Sequence, residues 1–155
     1  MWHLCGMESP TIRSAHPRDF EWVISQLKDF SEFVGTKKKL FGDEQYIRLG
    51  LLNISEKHVF FVAEKNFEPV GFIFGFFVPH FFNPEIKTLT ELAWWVIPSE
   101  RGTEAGLLLM RAFIEFGKKN ADWIAFGLNE KTPVNPDRLL SMGFKNFERS
   151  FLLEV

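Results

Sequence analysis

The chain has 155 residues, a formal net charge of −2, 46% hydrophobic residues and 25% charged ones. That balance fits one soluble globular domain spanning 1–155 with a core of its own, and it excludes a disordered or fibrous chain. A slightly acidic chain also lacks the broad positive field that a nucleic-acid backbone requires, so no nucleic acid is expected as a partner.

The one basic run, Lys37-Lys38-Lys39, reads as a solvated loop. Cys5 is the single cysteine, which leaves no internal disulfide, and the opening MWHLCGM lacks the basic start and apolar stretch of a signal peptide. No apolar run approaches the roughly 18 residues of a spanning helix. No membrane attachment and a cytoplasmic location are therefore expected, and Met7 is an alternative start because patterned sequence begins only after it.

In chain order, residues 11–14 read as a short first strand. HPRDFEWVISQLKDF then places Pro17 and Asp19 at a helix start and Phe20, Val23, Ile24, Leu27 and Phe30 at helical spacing. A second helix is predicted after Asp43, with Ile47, Leu51 and Ile54 on one side. HVFFVA (58–63) and VGFIFGFFV are two strands joined by a tight turn at 66–69, an antiparallel hairpin. TLTELAWWVI (88–97) is a third long strand. A helix to about Asn120 and a strand DWIAFGL follow it, and strand, helix, strand at this length implies a parallel pair with a right-handed crossover. A short helix at 136–142 and a final strand at 144–153 complete an α/β pattern with a mixed sheet.

The stretch IPSERGTEAGLLLMRAF joins the long strand to the crossover helix. That helix carries Gly106, Leu109, Met110, Phe113, Ile114 and Gly117 on one stripe, so its N-terminus is held at the end of AWWVI. Helix N-termini attract anions through unpaired amides, and Gly102 and Gly106 remove side chains that would keep a phosphate away, while Arg101 adds positive charge. A helix capped by Ser99 or Thr103, with Glu100 and Glu104 in its first turn, is the plainer alternative.

Glu91 lies in the long strand, ten residues before Arg101. Alternation puts it on one face with Ala93, Trp95 and Ile97, and Leu92, Trp94 and Val96 on the other, where poor solvation would raise its pKa toward neutrality. The alternative is a surface carboxylate paired with Arg or Lys. FFVPHFFNPE holds more rings than strand alternation can bury. Phe81, Phe82 and His80 therefore form either packing under the early helices or an exposed rim, serving as an acceptor-site wall or a homodimer surface. His3, His16, His58 and His80 show no metal-ligand spacing, so no metal is assigned.

The strand, Pro98, the Arg-Gly loop with Gly106 four residues on, the long amphipathic helix and a later MGF together resemble the GNAT superfamily of acyl-CoA-dependent N-acyltransferases over most of the chain. ELAWWVIPSERG is similar to GNAT proteins common in bacteriophage and prophage genomes. The resemblance implies a mixed, mostly antiparallel central sheet flanked by helices, with one parallel crossover. It implies acetyl-CoA as cofactor, its pyrophosphate on the amides of a Gln/Arg-x-x-Gly-x-Gly/Ala loop. Arg101 and Gly106 match that pattern and Glu104 replaces its first glycine, so Arg101, Gly102, Thr103, Glu104, Ala105 and Gly106 are the cofactor-binding candidates.

By the same resemblance, a backbone N–H near Val96 and Ile97 polarises the acetyl carbonyl, Asn135 or Asn129 touches the pantetheine arm, and Glu91 is the general base that readies an amine acceptor. The tyrosine that many relatives carry four residues before the final Gly-Phe is Leu139 here, leaving water, Ser141 or the amine to protonate the thiolate. The function implied is N-acetyl transfer to an amine. Its rival is a catalytically silent acyl-CoA-binding or interaction module.

Overall fold

The computed structural model describes residues 8–155; His3, Cys5 and the alternative start at Met7 lie outside the described residues. β1 (Thr11–Ser14) runs through a 3-10 turn (Pro17–Asp19) into α1 (Phe20–Val34). Proline suits a first helical position, where no hydrogen-bonding N–H is lost. Asp19, 5% exposed, accepts from the His16 N–H at 2.8 Å and from the two terminal Arg13 guanidinium nitrogens at 2.8 and 2.9 Å. α1 ends on Gly35 at φ 68°, a left-handed cap that a side chain would strain. α2 (Glu44–Lys57) begins on Asp43, whose carboxylate accepts from the Tyr46 N–H at 3.1 Å.

β2 (Val59–Lys65) and β3 (Glu68–His80) are joined by Asn66 and Phe67, both at positive φ (52° and 64°). That handedness matches the twist of the flanking strands in a two-residue turn. β4 (Asn83–Val96), α3 (Glu104–Asn120), β5 (Trp123–Ala125) and α4 (Pro136–Ser141) follow. The sheet order is β1-β2-β3-β4-β5, antiparallel through β4 and parallel between β4 and β5. This is the α/β pattern with a mixed sheet read from the residues, mostly antiparallel as the resemblance implies.

The helices cover both faces. α1 and α2 bury Phe20, Val23, Ile24, Leu51 and Ile54 against Phe60, Phe72 and Phe74 of the sheet. On the other face, Ala105, Leu109 and Phe113 of α3 pack on Val59, Ile73 and Leu89. Gly117 allows that close approach, since a Cβ there would meet Ile124 side-chain atoms at 2.7 Å.

Two expectations fail at the C-terminal end. The strand expected at 122–128 pairs only over Trp123–Ala125, and the final strand expected at 144–153 is absent: the chain beyond Gly143 has no regular hydrogen bonding. Phe144 packs on Phe126 at 5.7 Å, but Phe147, Phe151, Leu152 and Leu153 are all more than three-quarters exposed. An alternating sequence states a conformational preference, whereas a strand also needs an edge to pair with, and β5 is too short to supply a long one.

Candidate active site

The hydrogen-bonded ladder between β4 and β5 ends at Thr90 and Ala125. β4 continues through Val96 paired with β3 but without β5, so a fork opens between β4 and β5. The Ile97 N–H donates to Val70 on β3 at 3.0 Å. Because backbone groups alternate sides along a strand, those of Trp94 and Val96 face the side that β5 has left. A cleft of about 870 Å³, within the range of ligand sites, occupies this fork. It lies between Trp94 and Val96 of β4, the first turns of α3, Gly127 and Leu128 beyond β5, and Phe30 and Phe33 of α1.

Glu91 sits at the crotch of the fork. Burial pushes its carboxyl up to about 7, and a hydrogen bond from the Gly127 N–H, reaching across the fork, opposes that rise. Strict strand alternation does not describe its neighbourhood. Phe74 pairs with Ala93 and Gly75 with Glu91, which makes Leu92 an extra residue, a β-bulge. Below the bulge Leu89 packs on the α3 face; above it Trp94 and Val96 do, so the odd-even pattern inverts. The expected facial grouping of Glu91 with Ala93, Trp95 and Ile97 is thus interrupted at Leu92. Gly75 is required opposite the bulge, because a Cβ there would run into the Thr90 carbonyl.

At the upper end, Thr103 caps α3, its hydroxyl accepting from the Ala105 N–H at 3.4 Å. The first-turn amides of Glu104 and Gly106 have no acceptor inside the helix. Gly102 has φ +82°, with open space where a Cβ would stand. Glu104 is exposed and is not on the cleft wall, whereas Thr103, Gly106 and Leu107 are. Arg101 donates from Nε to the Val96 carbonyl at 3.0 Å, and its guanidinium lies 4.4 Å from the Trp95 ring and 5.8 Å from that of Phe33. Glu100 also borders the cleft but contacts Lys65 at 3.4 Å.

Residues 20–131 match the model of the Acetyltransferase (GNAT) family. The chain belongs to that family. Its GNAT fold also aligns with solved structures along nearly its whole length. A transcriptional regulator from Bacillus halodurans C-125 has a TM-score of 0.75 at 22% identity, covering 94% of this chain and 99% of that one. A predicted acetyltransferase with acetyl-CoA from Clostridium acetobutylicum gives 0.73 at 15%, with 94% and 96% covered. A ribosomal-protein-alanine N-acetyltransferase from Brucella melitensis biovar Abortus 2308 gives 0.70 at 13%, with 95% and 99% covered. No curated protein matches the chain significantly.

On this GNAT frame the sequence candidates fall into two groups. Glu91, Val96, Arg101, Gly102, Thr103, Gly106 and Asn135 border the cleft. Ile97, Glu104 and Ala105 do not: the Ile97 N–H is committed to β3, and the Ala105 side chain is wholly buried under α3. Asn135 caps α4, its Oδ1 accepting from the Asp137 N–H at 2.9 Å. Asn129 is engaged with the Lys131 N–H and the Thr132 hydroxyl within its own loop. Leu139 is 7% exposed beside Met110 and Ile114, and Ser141 borders the cleft with its hydroxyl donating to the Arg138 carbonyl at 2.7 Å.

Four contributors were not legible beforehand. Phe30 gave only the helical periodicity of α1, Phe33 lies beyond the stretch read as that helix, and Gly127 gave no signal at all. Gly75 gave one unused cue, a glycine inside a strand, which often marks a bulge. The acceptor-wall reading of Phe81 and Phe82 also fails on distance. Asn83 and Glu91 are eight residues apart on one strand, about 26 Å at 3.3 Å per residue. Both rings are exposed at the far tip of the β3–β4 hairpin. Among the described residues, no helix is long and apolar enough to cross a membrane.

Proposed function

We propose that this chain is a single-domain, cytoplasmic N-acetyltransferase that moves an acetyl group from acetyl-CoA to an amine by direct transfer, with Glu91 as general base. The observation that carries the reading is the position of Glu91. A desolvated carboxylate stands where β4 and β5 part, below an open β4 edge that leads to a helix N-terminus.

When bound, acetyl-CoA supplies the acetyl group as an activated thioester. The residues on the cleft wall fit its parts. The amides of the 102–106 turn, the open space at Gly102 and the charge of Arg101 suit a diphosphate. Glu104, exposed and not on the cleft wall, offers its amide without its carboxylate lining the site. The edge of β4 left unpaired by β5 at Trp94 and Val96, with the Val96 carbonyl already held by Arg101, and the amide nitrogen of Asn135 suit the amide-rich pantetheine arm. The Val96 N–H, rather than that of Ile97, is available to donate to the acetyl carbonyl oxygen.

Glu91 accepts a proton from the acceptor ammonium, directly or through water, because a group titrating near neutrality is partly ionised there and still basic enough to take it. As the amine nitrogen bonds to the acetyl carbon and the carbon–sulfur bond breaks, water, the amine or Ser141, which also borders the cleft, gives a proton to the departing thiolate. Leu139, apolar and buried where relatives place tyrosine, favours a second reading in which the chain binds acyl-CoA without turnover.

Thiol release from acetyl-CoA with a panel of amines, followed against pH, separates the two. For the transferase, kcat/KM rises with pH and levels off above about 7, where burial places the Glu91 carboxyl. Glu91→Gln lowers it about 100-fold and abolishes that limb. Tight CoA binding with no thiol release from any amine would leave only the silent reading.

A further inference from the structure

The two sides of the cleft differ in chemistry. On the α3 side stand the 102–106 turn and the β4 edge that suit the cofactor. On the α1 side the wall is Phe30, Phe33 and Val34, all half-buried, with the buried Trp95 of β4 packed against both rings. The rings meet edge to face, Phe30 with Trp95 at 5.8 Å and Phe33 with Trp95 at 5.9 Å. Half-buried apolar groups on a cleft wall are stabilised when an apolar ligand covers them. The Trp95 indole N–H donates to Gln26 at 3.0 Å, so this ring adds apolar surface to the wall and no free hydrogen-bond donor. Charge is equally restricted. Glu91, Glu100, Arg101, Asp137 and Arg138 are the charged groups bordering the cleft. Glu100 contacts Lys65, and Asp137 and Arg138 belong to α4, which packs by Leu139 on Met110 and Ile114 of α3. The α1 side is left with Glu91 at the crotch and with Arg101, whose guanidinium lies 4.4 Å from the Trp95 ring.

We infer that the acceptor is a small monoamine with a flat apolar body, an arylalkylamine in class, whose ring lies against Phe30 and Phe33 while its nitrogen faces Glu91. This rests on the transferase reading above and adds the substrate class to it. One carboxyl accommodates one ammonium; a second ammonium on the same molecule would stand without a partner beside the Arg101 cation. A polyhydroxylated body finds few groups to bond on the aromatic wall. Size agrees as well. The Lys131 ammonium, on the loop after β5, approaches Gly35 at the end of α1, 2.6 Å from where a Cβ would stand, and Thr132, Pro133 and Val134 of the same loop border the cleft. Loop and helix end thus bound this side, which suits a small molecule rather than a folded polypeptide. In the step, the ammonium gives one proton to Glu91, its nitrogen bonds to the acetyl carbon, and the carbon–sulfur bond breaks to release CoA. The amide formed carries no charge, so it loses its attraction to Glu91 and departs.

The test compares phenethylamine, propylamine and spermidine, as acceptors at saturating acetyl-CoA and as ligands by titration calorimetry on the full chain with and without CoA. The expected kcat/KM for phenethylamine is about 100-fold that for propylamine, with spermidine no better than propylamine. Phe33→Ala lowers the phenethylamine-to-propylamine ratio to about tenfold. Both rates scale with the folded fraction, so a merely structural role for Phe33 leaves the ratio unmoved. A ratio near one in the parent chain, a preference for spermidine, or a ratio that Phe33→Ala does not change overturns the assigned class while the transferase stands. Thiol release from no amine removes the transferase instead, and calorimetry then decides the pocket: phenethylamine bound at least about tenfold tighter than propylamine upholds it, and equal or undetectable binding of the two overturns it.

Discussion

Glu91 illustrates how one residue can be both useful and costly. Its folded-state pKa is about 7, against an ordinary value of 4.5, so between those values the folded chain binds more protons than the unfolded one. Unfolding stability therefore declines as pH rises through that window and stays reduced above it. A shift of this size corresponds to about 3 kcal/mol in full. Glu91→Gln, which keeps the shape without the charge, is expected to be more stable than the parent above about pH 8 by up to that amount, with the gain vanishing below about pH 4. Denaturant unfolding at the two extremes measures it; an equal effect at both would mean that ionisation is not the cause. The same substitution that lowers turnover thus raises stability, which distinguishes a desolvated base from a residue that merely holds the fold together.

Among the elements, β4 does the positioning. It pairs with β3 along its length and with β5 for only three residues, and the extra residue at Leu92 rotates the strand just as the fork begins. Gly75 permits that geometry, because only a residue without a Cβ clears the Thr90 carbonyl. Gly75→Ala is expected to cost about 2–3 kcal/mol of stability, in the upper part of the range for over-packed positions. The lost activity should exceed what the smaller folded fraction explains, since the backbone adjustment moves Glu91 relative to Gly127. Thermal melts paired with rates corrected for folded protein check both parts. A variant of parental stability and rate would show that the bulge tolerates a methyl group. α3 plays the complementary part: its apolar stripe fixes it on the sheet, and Thr103, Gly106 and Leu107 at its N-terminal end border the cleft.

At the scale of the whole molecule, the cleft draws its walls from α1, β4, α3 and the segment beyond β5, so a ligand filling it joins elements from both sides of the sheet. Such a ligand stabilises the folded chain by mass action. CoA at about a hundred times its Kd is expected to add about 2.7 kcal/mol, which for a chain of this size raises Tm by about 5–10 °C. Scanning calorimetry with and without CoA is the check, and an unchanged Tm at millimolar CoA would remove the anion site at 102–106 and the proposed function with it. Arg101→Ala offers a control at the same scale, because its loss should reduce the CoA-dependent increment while leaving the cleft intact.

The sequence by itself determined what is local. Periods of 3.6 and 2 marked α1, α2, α3 and the long β4 strand; Asp43 marked the start of α2 and Thr103 was one of two caps offered for α3; Gly102 and Arg101 marked the turn at the end of β4. These features depend on residues a few positions apart, whose interactions are the same wherever the segment lies. Tertiary structure alone decided what depends on register between distant segments. The bulge at Leu92 is defined only against Gly75, the fork only by where Trp123–Ala125 stop pairing, and the burial of Glu91 only by Gly127 and the elements around it. The 144–153 segment shows the same limit from the other side: its alternation states a preference for extended backbone, but whether it becomes a strand rests on a partner edge that no local pattern encodes.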